Sequence, residues 1–224
     1  MQHIELLLET LELQFQQFAN SENANVMEKY MKHIAPFYGI KKPVREMLMR
    51  AEFGSTKLTK AEVLYIMDIT WHKPQREWQY MGLEILIKNR KTLNENDIFA
   101  VESLIVSKSW WDTVDLLAAN VAGFIIQKNP HLQSTLIPQW TESDNLWLNR
   151  SAIIHQLHYG INTDVSILEQ TILPFTSSRQ FFHAKAIGWA LRQYARVNPT
   201  YVIDFVNKYP MQPLSKREAL KHLK

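Results

Sequence analysis

The chain has 224 residues, 46 % of them hydrophobic, with no cysteine and a formal net charge of +3. That length suits one large domain or an array of repeats, and that apolar content builds a substantial core. The missing cysteine excludes thiol nucleophiles, disulfides, thiolate zinc sites and cysteine-ligated iron–sulfur clusters, and only six glycines in the whole chain argue against Gly-rich phosphate loops and turn-dense β folds.

The opening residues carry Glu5, Glu9 and Glu12 and lack the basic start and clean apolar run of a secretory signal. No stretch reaches the roughly 20 apolar residues that span a bilayer. We therefore expect a soluble, cytoplasmic protein without a membrane partner. A pI near 9.0 permits a polyanionic partner without requiring one.

In chain order, Ile4, Leu7, Leu8, Leu11, Phe15 and Phe18 recur near the 3.6-residue period and predict a helix over 2–19. Asn20 to Asn25 reads as a polar turn, and Val26 to His33 as a second helix. Pro36 marks a break before a loop at 38–43. Pro43 suits the first turn of a helix over 44–51, and Thr59 can cap the next, over 60–69. Amphipathic helices follow at 77–86, 110–126, 146–154 and 181–191, with shorter ones between them at 97–106, 131–140, 165–171 and 199–207. At the end, Ser215 and Glu218 have capping-box spacing for a last helix over 214–221. The Trp and Ala-Ile landmarks of the stronger helices recur every ~33–36 residues, the period of paired-helix repeats. No stretch alternates like a strand. The expected fold is all-α: a single-domain solenoid of helical repeats over 1–224, with a concave basic and aromatic face.

The stretch richest in chemistry is SWWDTVD, 109–115. In a helix Trp111 and Asp115 are i and i+4 and share one face, an indole beside a carboxylate. Leu116, Leu117, Val121 and Phe124 would face the core. Later helices repeat an aromatic–arginine pairing, Trp147 with Arg150 and Trp189 with Arg192, and Trp78 occupies a similar place earlier. Arg takes phosphate bidentately and aromatic surface abuts sugars or bases, so this interleaving suits nucleic acid. The plainer readings are a packed indole with an ion-paired acid at 111 and 115, solvated or paired arginines at 150 and 192, and core filler at Trp189. His155 and His158 form an HxxH pair with no third ligand in view, so no metal is expected. Lys41-Lys42 and Lys216-Arg217 read as surface charge. No GxSxG, Walker loop or GxGxxG occurs.

Five blocks resemble the AlkD family of DNA alkylation-repair glycosylases, built from HEAT-like helical repeats. They are YMK at 30–32, SWWDTVD at 109–115, SDNLWLNRSAI at 143–153, KAIGWALRQYARVNP at 185–199 and PLSKREALKHLK at 213–224. The likeness spans nearly the whole chain, and SWWDxVD with KAIGWxLR is its most specific part. The resemblance implies a monofunctional, cofactor-free DNA N-glycosylase of base excision repair. It would release cationic N3- or N7-alkylated purines from double-stranded DNA without a base-flipping pocket, working as a monomer associated with the nucleoid when bound. By resemblance the catalytic set is Trp111, Asp115 and Trp189, and Arg150 and Tyr30 face DNA; Arg192, Lys216 and Arg217 complete the expected DNA-binding set. The rival readings are a catalytically silent DNA binder on the same scaffold and a protein-binding solenoid.

Overall fold

A computed structural model describes residues 1–223. They are helical with no strand, and pack as two compact units, Met1–Leu93 and Asn94–Lys224. No helix among them is long and apolar enough to cross a membrane.

In the first unit, α1 (Gln2–Gln17) buries Ile4, Leu8, Leu11 and Phe15, the stripe its periodicity predicts. Helix α2 (Ser21–Tyr30) begins earlier than expected, because Asn20 is its N-cap: the side-chain oxygen accepts from the Asn23 N–H at 2.9 Å. It also ends earlier, since Lys32 and His33 adopt left-handed φ of 59° and 56°. Helix α3 (Lys42–Phe53) has Pro43 in its first turn, as expected. A capping box between Thr59 and Glu62 opens α4 (Lys60–His72). It packs on α5 (Arg76–Asn89), whose Gly82 lies against Thr70 so closely that a Cβ there would sit 2.1 Å from the Thr70 hydroxyl.

In the second unit, α6 (Ile98–Val106) precedes α7 (Trp111–Leu116), which runs through a π-helical turn, Leu117–Ala122, directly into α8 (Gly123–Lys128). The expected core face of this run is corrected in part: Leu117 and Val121 are buried, but Leu116 is exposed and Phe124 half-buried, because the π turn shifts the register between the two ends. Then come α9 (Pro130–Glu142), α10 (Leu146–Ile154), α11 (Val165–Ile172), α12 (Phe181–Tyr194), α13 (Pro199–Lys208) and α14 (Pro213–Ala219). The capping box expected at the last helix is not formed. Ser215 lies inside α14 and donates to the Ala184 carbonyl at 3.1 Å, while Glu218 faces α12. Gly188 permits that contact, since a Cβ there would meet the Glu218 Cβ at 2.4 Å.

The repeat is plain in the helix starts. Helices α3, α5, α7, α10 and α12 begin at residues 42, 76, 111, 146 and 181, steps of 34 or 35. It is plain again in one buried contact made twice. The Gln79 side-chain amide donates to the carbonyls of Thr70, Trp71 and Lys73 at 2.9, 3.4 and 2.8 Å, closing the end of α4. Two repeats later the Asn149 amide donates to Trp140, Thr141 and Ser143 at 2.9, 3.2 and 2.7 Å, closing the end of α9. Helix C-termini leave carbonyls without helical partners, and a buried one must find a donor. Asn149→Ala and Gln79→Ala should therefore each cost about 1–3 kcal/mol in urea unfolding. A loss below about 0.5 kcal/mol at either position, the range of ordinary surface changes, would show that the amide does not hold its helix pair.

Candidate active site

Asp115 lies on the last turn of α7, one turn after Trp111, as the spacing predicts. Its carboxylate meets Arg150 of α10 in a two-pronged ion pair: Nε donates to Oδ1 at 2.6 Å and Nη2 to Oδ2 at 2.8 Å. The third nitrogen, Nη1, donates to the Phe182 carbonyl at 2.7 Å, at the start of α12. The guanidinium also lies over the Phe182 ring, its central carbon 5.7 Å from the ring centre. Three successive repeats are thus joined through one arginine.

The pair is nearly dry. Asp115 keeps 13 % of its side-chain surface exposed and Arg150 only 6 %. Burial, with a smaller push from Asp112, holds the Asp115 carboxyl above its ordinary value; Arg150 works against that rise without cancelling it. Arg150 is thus what favours the carboxylate in a place that would otherwise favour the acid. A carboxylate has about four acceptor positions, and Arg150 takes two of them. The edge still open to solvent can accept from water or face a positive charge.

An aromatic cluster stands beside this pair. Trp110, Trp147 and Phe182 meet with ring centres 5.7, 5.2 and 4.9 Å apart, in tilted or edge-to-face poses, and Phe181 adds an edge contact to Phe182 at 5.4 Å. Phe181 is well exposed. His183 is buried, accepts or donates at Nδ1 with the Ser178 hydroxyl at 2.9 Å, and stacks against Phe175. Burial, and then the Arg150 charge, push its pKa below the ordinary histidine value.

The expected site residues fall into three groups. Asp115 and Arg150 are brought into contact. Trp111 and Trp189 are each half-buried: Trp111 is one turn from Asp115, and Trp189 is seven residues, two turns, beyond Phe182 on the same side of α12. Tyr30, Lys216 and Arg217 are exposed, Tyr30 in the first unit and the two cations on α14. Two arginines expected to face DNA are engaged within the protein. Arg150, read as a phosphate clamp, is buried with Nε, Nη1 and Nη2 all engaged by protein acceptors. Arg192, read as sharing a face with Trp189, turns instead to α14, where Nη1 pairs with the Glu218 carboxylate and donates to its carbonyl at 3.2 Å. Trp78, placed by its spacing on the binding face, is fully buried.

Of the HxxH pair, His155 is buried and held neutral by burial, its pKa down to about 4, while His158 is exposed. Among the described residues no group of three or more His, Cys, Asp or Glu side chains is arranged to hold a metal. Sequence reasoning missed Phe182 and Glu218. Phe182 acts through its backbone carbonyl, which no side-chain pattern signals. Glu218 stood in a capping spacing that concealed its partners, Lys185 at 3.0 Å and Arg192.

Residues 11–223 match the family model described as DNA alkylation repair enzyme. The chain belongs to that family. A solved structure, a predicted DNA alkylation repair enzyme from Enterococcus faecalis, superposes with a TM-score of 0.84 at 29 % identity, covering 92 % of this chain and 96 % of that one. No curated protein matches significantly. Membership supports a role in the repair of alkylated DNA, on an all-helical repeat fold.

Two measurements test the electrostatics. Removing one partner of a buried ion pair leaves a charge without compensation, so Arg150→Ala should destabilise the chain by about 3–5 kcal/mol. Adding Asp115→Asn to it should restore part of that loss; a double variant no more stable than Arg150→Ala would show that the pair is not coupled. Separately, Lys185 and Arg192 pull the Glu218 pKa from 4.5 down to about 2. A carboxylate with a depressed native pKa stabilises above its unfolded pKa, and that gain is lost as pH falls through the native one. Glu218→Gln should therefore flatten the fall in stability between pH 4.5 and about 2 in urea melts; an unchanged slope there would mean that Glu218 does not carry it.

Proposed function

We propose that the protein is a DNA N-glycosylase that hydrolyses the glycosidic bond of purines alkylated at N3 or N7 in double-stranded DNA. The observation that carries this reading is Asp115, a carboxyl group held in a two-pronged pair by Arg150 in a nearly dry setting, with part of its surface open and an indole one turn away on the same helix. Membership in a family of alkylation repair enzymes supplies the substrate class.

The chemistry follows from the lesion. A purine alkylated at N3 or N7 is cationic, so it leaves as a neutral base without first being protonated. The C1′–N bond breaks with its electron pair going to the purine, and positive charge moves onto the deoxyribose as an oxocarbenium-like species. Water then bonds to C1′ and gives up a proton, leaving an abasic site and a free base. A fixed anion stabilises the charge that develops on the sugar. For a lone carboxylate at 4 Å and an effective dielectric of 20 the attraction is about 4 kcal/mol, roughly a thousandfold in rate. Arg150 offsets part of that field, and in exchange it fixes the carboxylate in place and in charge. The open acceptor positions of Asp115 orient the attacking water. Trp111 and Trp189 present indole faces to the cationic sugar and base, worth roughly 0.5–2 kcal/mol each.

Binding is assigned differently from catalysis. With Arg150 and Arg192 engaged inside the protein, the groups offered to DNA phosphates are the exposed Lys216 and Arg217, with Tyr30 against the backbone. Phosphate contacts of this kind position the duplex without reading its sequence.

The test is incubation with methylated duplex DNA and identification of any free base. Release of 3-methyladenine or 7-methylguanine is expected. Asp115→Asn should slow single-turnover release of 7-methylguanine by roughly 10²–10³-fold with little change in DNA affinity, as removal of an electrostatic stabiliser does elsewhere. Unaltered release would take Asp115 out of the mechanism, and DNA binding by the wild-type chain with no base released would favour a silent DNA binder.

A further inference from the structure

The helix that carries Asp115 is not a plain α-helix. Two residues beyond the carboxylate it opens into the π turn Leu117–Ala122, where the Gly123 N–H reaches back five residues to the Ala118 carbonyl. A π turn is rare, and each one absorbs an extra residue into a helix. One residue of register in an α-helix is about 100° of rotation and 1.5 Å of rise. Closing this turn to α geometry would therefore swing Trp111 and Asp115 away from Arg150, or swing the buried stretch 118–126 out of the core.

What holds the turn open is a contact at its far end. Gly123 lies against the last turn of α10, so close that a Cβ would sit 2.2 Å from the His155 carbonyl oxygen. Its own carbonyl accepts from the Tyr159 hydroxyl at 2.7 Å. Tyr159 is 6 % exposed and has the His155 ring edge-on against it, 5.9 Å between centres. The segment bearing Tyr159 is itself clasped: the Gln156 side chain accepts from the Asp164 N–H at 2.8 Å and donates to its carbonyl at 3.0 Å. The run from Asp115 to Gly123 is thus fastened at both ends to α10 and the turn after it, by Arg150 at one end and Tyr159 at the other. The spacing of the two fastenings is set by α10, and the π turn takes up the mismatch.

We infer that Tyr159 and Gly123 form a latch that fixes the π turn and thereby the register in which Asp115 meets Arg150, making Tyr159 a positioning residue for the carboxylate. The structural part stands on contacts alone; only its effect on base release rests on the function proposed above.

The test uses the full chain with Tyr159→Phe, which keeps the ring and removes the donor. The probe is the Arg150 Nε proton in a nitrogen–proton correlation spectrum, assigned by its disappearance in Arg150→Lys. In the wild type it is buried against Asp115 and should exchange slowly. In Tyr159→Phe it should shift and exchange at least about tenfold faster, with the amides of 117–123 also exchanging faster. Tyr201→Phe is the control: it removes another tyrosine hydroxyl contact in the same unit, to Glu169 at 2.7 Å, and should leave the Arg150 signal in place. Gly123→Ala approaches the same seam from the other side and should reproduce the Tyr159→Phe signature. An Arg150 proton and amide exchange unchanged from wild type in both latch variants overturns the inference, as does an equal change in Tyr201→Phe. On methylated duplex, Tyr159→Phe should lower the maximal rate of base release roughly 10- to 100-fold, with half-saturating DNA unchanged, as misplacement of a catalytic group does. A wild type that releases no base would end the glycosylase reading and leave the spectroscopic result to decide the latch.

Discussion

The two-pronged pair between Asp115 and Arg150 is the contact on which the site depends. Its members stand 35 residues apart, at equivalent places in successive repeats, and Arg150 carries the link on to the Phe182 carbonyl in a third. Burying a carboxylate costs more than burying almost any other side chain, and only a partner with matched geometry offsets it. A guanidinium has that geometry: planar, always charged, with two parallel donors for two oxygens. A lysine at 150 would supply the charge without fixing the orientation. The pair therefore contributes order more than stability, holding a carboxylate in one pose and one charge state at the edge of a core.

The same 35-residue step runs further than this pair. Arg45, Tyr80, Asp115, Arg150 and Lys185 are all one step apart. In the first unit the Arg45 guanidinium lies 4.8 Å from the centre of the Tyr80 ring and pairs with Glu84 at 2.8 Å. In the second, Asp115 pairs with Arg150, and Lys185 with Glu218. Repeat architectures put equivalent positions into equivalent surroundings. Here that row is filled with polar groups: Arg45 and Lys185 take their ion-pair partners from outside it, and in the pair 115–150 the partner comes from the next rung. Placing an acid at rung 115 and a base at rung 150 neutralises that pair, which lets both be buried.

Much of this was legible in the sequence. Helical periodicity located the helices, and proline and Thr59 gave several of their starts, because those signals act within a few residues. The repeat length was visible in recurring tryptophans. The pairing of Trp111 with Asp115 followed from helical spacing alone. What was not legible depends on contacts across the fold. Asn20 was read as part of a turn, although it caps α2. Glu77 merely opens the amphipathic helix expected over 77–86, yet its carboxylate is fully buried and accepts the N–H groups of Tyr38, Gly39 and Ile40 at 3.1, 2.9 and 3.0 Å. Trp78 and Trp147 look alike in the sequence, but one is core and the other belongs to the aromatic cluster. In stacked helix pairs a helix is covered on more than one side, so period alone does not say which residues remain open. Arginines are the hardest case: the residue type that suits phosphate also suits a buried carboxylate, and both Arg150 and Arg192 went to carboxylates.

The engagement of those two arginines bears on how such a site could act on DNA. Were they free, the local field at Asp115 would be dominated by positive charge, which opposes the development of a cation on the sugar. Paired, each arginine is offset by its own carboxylate, and Asp115 keeps part of its surface open to solvent. The field felt by an approaching deoxyribose is then that of an oriented dipole with its negative end outward. Such a dipole falls off faster with distance than a bare charge, so it stabilises only a cation brought close and rewards a duplex held in register. It also gains little on a neutral purine, whose departure needs protonation. Preference for lesions that already carry their charge would thus come from the pairing that hides the arginines as much as from the carboxylate they hold.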